Sequence, residues 1–193
     1  TTQAVINTIQ RDLDDPSARE NLNGFHYLFD AAHYVGQISR RVQAEHRDSL
    51  QEHGIGVEAS FVLGGQIHGR DPNLYLIYPQ GNYISTSTET PYLQVGETKY
   101  GKPILDRIIR PETSLEDAAR CALVSIDSPM RANISVGPPV ELAIYRQDEL
   151  ALGRRVSLDY GTPMFRDLQK RWNEGLRRAF ERTPGLDTVW VFG

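Results

Sequence analysis

The hydrophobic period switches repeatedly along this chain, and no other feature restricts its fold as much. Val5, Ile9 and Leu13 recur every fourth residue, with Ile6 beside them and Thr1 or Thr2 placed to cap the start. That spacing predicts an opening helix, which Asp14-Asp15-Pro16 stops because the residue before a proline is pushed out of the α region. Phe25, Leu28, Phe29, Ala32, Val35, Ile38 and Val42 draw one apolar stripe along a longer helix from about Gly24 to His53, with Gly54 as its terminator. The period then falls to two. Ala59, Phe61, Leu63 and Ile67 alternate with Ser60, Gln66 and His68, as a strand with one buried face requires. Gly69-Arg70-Asp71-Pro72-Asn73 is turn chemistry, and Leu74 to Tyr78 is the partner strand. Gly81-Asn82 turns the chain into a polar extended run from Ile84 to Thr90.

Helical spacing returns after Val95-Gly96. Pro103 is expected in a first helical turn ahead of Ile104, Leu105, Ile108 and Ile109. Thr113-Ser114-Leu115-Glu116 fits a capping box, opening a helix that buries Leu115, Ala119, Ala122, Leu123 and Ile126 and ends at Ser128-Pro129. Val140 to Tyr145 reads as a strand and Arg155 to Leu158 as another. A last helix, Pro163 to Arg182, carries Phe165, Leu168, Trp172, Leu176 and Phe180 on one side. Blocks of helix pairs and antiparallel strands predict an α+β fold in one domain, with helices covering sheets. The strands after Glu58 are too few to give two full faces.

Composition narrows function by exclusion. The formal charge of −4 argues against a nucleic-acid partner, which calls for a basic surface. The single cysteine, Cys121, rules out an internal disulfide framework and suits a cytoplasmic setting. No run approaches a membrane span of roughly 18 apolar residues, and the N-terminus is polar rather than signal-like, so no membrane partner is expected.

Three stretches resemble the proteasome β-subunit pattern, and within it the Anbu (ancestral β-subunit) family: SFVLGGQIHGRDPNLYLIYPQGNYI, PYLQVGETKYGKPILDRII and TSLEDAARCALVSIDSPMRANISVGPPVELAIY. TTQAVINTIQRDL resembles that family's first helix. The resemblance implies an N-terminal-nucleophile hydrolase of proteasome type, folded as an αββα four-layer sandwich whose first strands lie upstream of Thr1. Those strands would carry the nucleophilic threonine, an acidic partner, a lysine and an oxyanion-hole N–H. The resemblance also implies assembly of many copies, peptide or protein substrates, and no metal or organic cofactor.

This bears on Thr1. A free N-terminal threonine is a nucleophile in principle, its own amine acting as base. Helical spacing from residue 5 favours instead a threonine that caps or opens a helix. The resemblance assigns supporting roles elsewhere. Gly96-Glu97-Thr98 lies where the family pattern has a glycine-serine-glycine turn, with Glu97 in place of the serine. A carboxylate there would hold an ammonium, or raise the amine's pKa and weaken it as a base; the plainer reading is a glutamate favoured by a helix start. Asn133-Ile134-Ser135-Val136-Gly137 matches a loop with an aspartate and a serine, but Asn133 cannot carry charge and Ser135 is offset by about one place. A Gly/Pro turn before the Val140 strand is the plainer account. A scaffold that assembles but cleaves little is the alternative these departures allow.

Other candidates are weaker. His26 with His33, and His46 with His53, each lie two helical turns apart but lack the third and fourth ligands zinc needs. Ser85-Thr86-Ser87-Thr88 has no neighbouring base, no G-x-S-x-G elbow exists, and Gly64-Gly65 lacks the lysine of a phosphate loop. Cys121 falls on an apolar helix side, as core. The final helix mixes Arg166, Lys170, Arg171, Arg177, Arg178 and Arg182 with acidic residues, which suits a solvated face or a subunit seam. Residues 163–193 are thus expected to serve assembly, with the apolar tail Thr188-Val189-Trp190-Val191-Phe192 adding to a neighbouring strand or seam.

Overall fold

The computed structural model describes residues 1–52, 54 and 56–185. Its elements run α1 (Thr2–Asp14), α2 (Leu28–Gln51), β1 (Phe61–Gly65), β2 (Asn73–Ile77), β3 (Tyr83–Ser85), α3 (Thr98–Ile108), α4 (Leu115–Ala132), β4 (Val140–Tyr145), β5 (Leu152–Leu158) and α5 (Pro163–Glu181). This is the mixed helix–sheet order that the changing period predicts. β1, β2 and β3 form an antiparallel meander, with Phe61 opposite Ile77 and Tyr75 opposite Ser85. β4 and β5 form a separate antiparallel pair, with Val140 opposite Leu158 and an irregularity at Ile144/Tyr145.

The first core lies between α1, α2 and the meander. Val5, Ala32, Val35, Ile38, Val42, Tyr75 and Ile77 are buried in one cluster. Helix and sheet meet there backbone to backbone. A Cβ on Gly36 would sit 2.2 Å from the Gly81 carbonyl oxygen, so only glycine lets α2 dock on the β2–β3 turn. Beside this contact the buried Gln43 amide donates to Ser39 Oγ at 2.9 Å and to the Pro79 carbonyl at 3.0 Å, which removes the penalty of burying it unpaired. The second core joins α4 and α5 to β4–β5 through Leu123, Val140, Leu158 and Phe165. A third, of Leu105, Ile109 and Cys121, holds α3 against α4. One side-chain hub ties the two sheets. Gln66, just past β1, donates to the Arg70 carbonyl and Asp148 Oδ1 and accepts from Tyr145 Oη and the Asp148 N–H, each at 2.7 Å.

Several expectations fail for local reasons. α2 begins at Leu28 rather than Gly24, so Phe25 packs from the preceding loop onto Tyr34 at 5.5 Å, and Phe29 is exposed, stacked on Tyr27. The extended run stops at Ser85. Ser87 and Thr90 close a turn in which Ser87 Oγ accepts the Thr90 N–H, a side chain competing with the strand ladder. α3 starts at Thr98, which puts Pro103 inside the helix, and both Pro103 and Lys99 are exposed, so the carbonyl deprived of its donor lies on the wet side. The α4 cap is one residue later than the capping box predicts: Ser114 Oγ accepts the Asp117 N–H at 3.1 Å, and Leu115 is exposed. α4 also continues through Pro129 to Ala132.

On α5 the predicted apolar side buries Phe165 fully but leaves Leu176 at 50% and Phe180 at 78% exposure. The helix outruns its partner: Arg171 and Trp172 already share a groove with Ser114 and Asp117 in the first turn of α4. The tail residues 188–192 lie outside the described residues.

Candidate functional site

Two chain segments with opposite local tasks meet at one end of the α3–α4 pair. The first is the entry to α3. Gly96 has φ +96°, a left-handed backbone that glycine adopts without Cβ strain. Glu97 follows as the N-cap. Its carbonyl takes the Tyr100 and Gly101 N–H groups at 3.3 and 3.4 Å, while its side chain makes no capping bond. The second segment is the exit from α4. Asn133 caps it, its N–H donating to the Pro129 carbonyl at 2.9 Å and its Oδ1 accepting the Ser135 N–H at 2.9 Å. Asn133 Nδ2 then donates to Glu97 Oε1 at 2.7 Å. The structure thus gathers Gly96, Glu97, Asn133 and Ser135 into one partly buried cluster. Ser135 enters it through its backbone N–H, and its exposed hydroxyl makes no hydrogen bond among the described residues.

The packing of α3 on α4 explains why these ends coincide. A Cβ on Gly101, one turn into α3, would lie 3.0 Å from the Ser125 carbonyl of α4. The bare glycine lets the two helices approach there, and the N-terminus of α3 falls beside the C-terminus of α4. The carboxylate of Glu97 then sits between the N-terminus of α3 and the C-terminus of α4. The Asn133 amide fixes one carboxylate oxygen and leaves acceptor capacity on the other, enough to take an ammonium or hydroxyl donor. Ile134, between the two polar partners in chain order, is fully solvent-exposed at the loop tip.

Other sequence candidates are dispersed. Thr1 is the N-cap of α1, its carbonyl accepting the Val5 N–H at 3.1 Å. Its position heads a helix, as the spacing predicts. His33 pairs with Gln37 at 2.7 Å, and His53 lies outside the described residues. Among the described residues no group of three or more His, Cys, Asp or Glu side chains could hold a metal ion. No helix among them is long and apolar enough to cross a membrane. Cys121 is 3% exposed in the α3–α4 core, and burial pushes its thiol pKa up, away from a reactive thiolate.

Sequence reasoning missed two buried polar groups. Gln94, two residues before Gly96, has a buried Oε1 with no hydrogen-bond partner. Asp127, on α4, is a buried carboxylate with partners on α5. The i, i+4 spacing of Asp127 and Arg131 was the available signal, but such spacing usually marks a surface pair. On the outer side of α3, Lys102 donates to Asp106 at 2.7 Å and to Tyr92 Oη at 3.0 Å, and the lysine hydrogen bond holds the Asp106 carboxyl below its usual range.

No protein-family model matches the sequence, and no curated protein matches it significantly. Solved structures do. An Anbu protein from Yersinia bercovieri is 40% identical over 96% of this chain and 76% of its own, with a TM-score of 0.86. The Pseudomonas aeruginosa protein, solved as a helical assembly of the Anbu complex, is 42% identical over 95% of this chain and 75% of its own, with a TM-score of 0.87. Anbu from Hyphomicrobium sp. strain MC1 is 38% identical over 95% and 76%, with a TM-score of 0.84. At these identities over 95–96% of its length, the chain belongs to the Anbu (ancestral beta-subunit) family.

Proposed function

We propose that this protein is a proteasome-type threonine peptidase, an N-terminal-nucleophile hydrolase of amide bonds that works in the cytoplasm as a homo-oligomer of many copies. The observation that carries the reading is the bond from Asn133 Nδ2 to Glu97 Oε1, which presents a held carboxylate at a helix junction in an Anbu chain. Glu97 would hold the ammonium form of the nucleophile's amine in place, Asn133 would orient Glu97, and Gly96 and the Ser135 N–H would shape the two loops. The nucleophile belongs to a threonine upstream of Thr1. Its Oγ attacks the peptide carbonyl carbon while its own amine takes the hydroxyl proton. Backbone N–H groups hold the oxyanion, the amine returns the proton to the leaving nitrogen, and water hydrolyses the resulting ester. No metal or organic cofactor enters these steps.

The fold we propose is the four-layer αββα sandwich. Its support is the side of the β1–β3 meander turned away from α2: Val62, Leu74 and Ile84 share that face at 46%, 37% and 46% exposure. An apolar sheet face of this kind fits burial against further sheet. The helical assembly of the P. aeruginosa relative supports a homo-oligomer for this chain; in this reading residues 163–193 serve as an assembly element.

A second reading, a scaffold that assembles but cleaves little, is favoured by Asn133, a neutral amide where the proteasome pattern has a carboxylate. N-terminal sequencing and intact mass of the expressed protein, followed by labelling with a threonine-directed electrophile, separate the two. Label on an N-terminal threonine, lost in Glu97→Ala, supports the peptidase. An unreactive N-terminus supports the scaffold.

A further inference from the structure

Asp127 is the only buried charged side chain among the described residues, at 4% exposure. A carboxylate withdrawn from water is costly unless donors replace the solvent. Here three do: Arg131 Nε at 3.0 Å, Gln169 Nε2 at 3.0 Å and Asn173 Nδ2 at 3.4 Å, the last two from α5. The acceptor is sealed while the Arg131 side chain stays 63% exposed, so this is no ordinary surface pair.

Its place along α4 gives the pairing a consequence. Asp127 and Arg131 straddle Pro129, which has no N–H and leaves the Ser125 carbonyl without its helical donor. The helix is therefore weakest just before its last turn. That turn ends at Asn133, whose N–H returns to the Pro129 carbonyl and whose amide reaches Glu97. The Asp127–Arg131 bridge has one residue on each side of Pro129, overlapping the turn that lacks its bond, and Asp127 is itself anchored to α5. We infer that Asp127 is a positioning residue: across the Pro129 break it sets the direction of the α4 terminus that delivers Asn133 to Glu97. The inference rests on the peptidase reading for its catalytic meaning, and on the hydrogen bonds alone for its mechanics.

A mere tie between α4 and α5 and a positioning device differ in one measurable respect, the coupling of Glu97 to Asn133. In the full-length protein, as it assembles, Glu97→Ala and Asn133→Ala are combined in a thermal-unfolding cycle. With Asp127 present, their Tm losses fall short of additivity by about 2–4 °C, because both remove one hydrogen bond. In the Asp127→Asn background the losses become additive, and amide exchange at Asn133 and Val136 speeds up about 10-fold. Arg131→Met, which changes an exposed side chain, gives the same loss of coupling should Asp127→Asn not fold. Coupling that survives either variant in a folded protein overturns the inference, even where exchange rises throughout α4 and α5. On a cleavable amide substrate, Asp127→Asn is expected to lower kcat with KM unchanged. A wild-type protein without amidase activity that still loses the coupling in Asp127→Asn sinks the peptidase reading and leaves the positioning role standing.

Discussion

The two halves of this molecule are assembled on different terms. From α1 to β3 one large apolar core carries the assembly, with a single buried polar set among its described residues, Gln43 with Ser39 and the Pro79 carbonyl, beside the point where the Gly36 and Gly81 backbones approach. From α3 to α5 the cores are smaller, and polar side chains also join the helices: Asn133 to Glu97 at their ends, and Asp127 to Gln169 and Asn173 along their lengths. Apolar packing tolerates small shifts at modest cost, whereas a hydrogen bond fixes distance and direction. A half that must present a carboxylate in one orientation benefits from the second kind of joint. The first half has no such duty among its described residues, and its polar hub at Gln66 serves to hold the two sheets together.

The comparison is broken or sharpened most strongly within α5, where one stripe runs from covered to uncovered. Phe165→Ala should cost about 3–5 kcal/mol, because a fully buried ring leaves a cavity. Phe180→Ala, further along the same stripe, should leave the unfolding free energy of the separated subunit unchanged within about 0.5 kcal/mol. Denaturant unfolding of the two variants measures both, and equal losses would mean that Phe180 is covered within its own chain. Next in size is Gly36→Ala. The added methyl would meet the Gly81 carbonyl at 2.2 Å, so we expect about 2–3 kcal/mol of destabilisation despite alanine's higher helix propensity. Gly175→Ala on α5 is the control: a Cβ there meets nothing within 4 Å, and the helix should gain about 0.5–1 kcal/mol.

The same contrast explains what could be read from the sequence. Period and punctuation suffice where one residue type has one option. Val5 and Ile9 specify a helical face, the strand alternation places β1 and β2, and Gly96 marks the entry to α3. The four residues singled out at 96, 97, 133 and 135 do meet, since their loops are helix ends that antiparallel packing brings together. Legibility fails where a partner decides the outcome. Leu176 and Phe180 have the spacing of buried residues, but no spacing states how far α4 extends beside them. Pro129 reads as a stop because a proline lacks a donor; α4 passes through it on packing, with Asp127 and Arg131 paired on either side of it. The burial of Asp127 is not legible, because its spacing to Arg131 reads as a surface pair and its other two donors lie 42 and 46 residues away on α5.

A smaller effect tests the first half, where one polar pair does sit at the edge of the apolar core. Tyr34, 6% exposed, donates from Oη to Asp12 Oδ2 at 2.8 Å, and Arg11 Nη2 lies 2.8 Å from the other oxygen. Burial, and then the bond to Asp12, push the Tyr34 pKa up to about 12. Hydrogen bonds from Arg11 and Tyr34 hold the Asp12 carboxyl below its usual range. The two shifts act at opposite ends of the pH scale. The raised tyrosine favours its neutral form in the fold, so its contribution is complete below about pH 10 and is lost as pH climbs toward 12. The lowered aspartate favours its charged form, so its contribution is present above its ordinary pKa near 3.8 and fades as pH falls through the lower folded value. Tyr34→Phe should therefore cost about 0.5–1.5 kcal/mol at neutral pH, for one hydrogen bond. It should also flatten the loss of stability between pH 10 and 12, and leave part of the acid limb in place, because Arg11 still holds Asp12. Denaturant midpoints from about pH 3 to 12 read all three effects. An alkaline limb unchanged in Tyr34→Phe would mean that the bond between Tyr34 and Asp12 does not form.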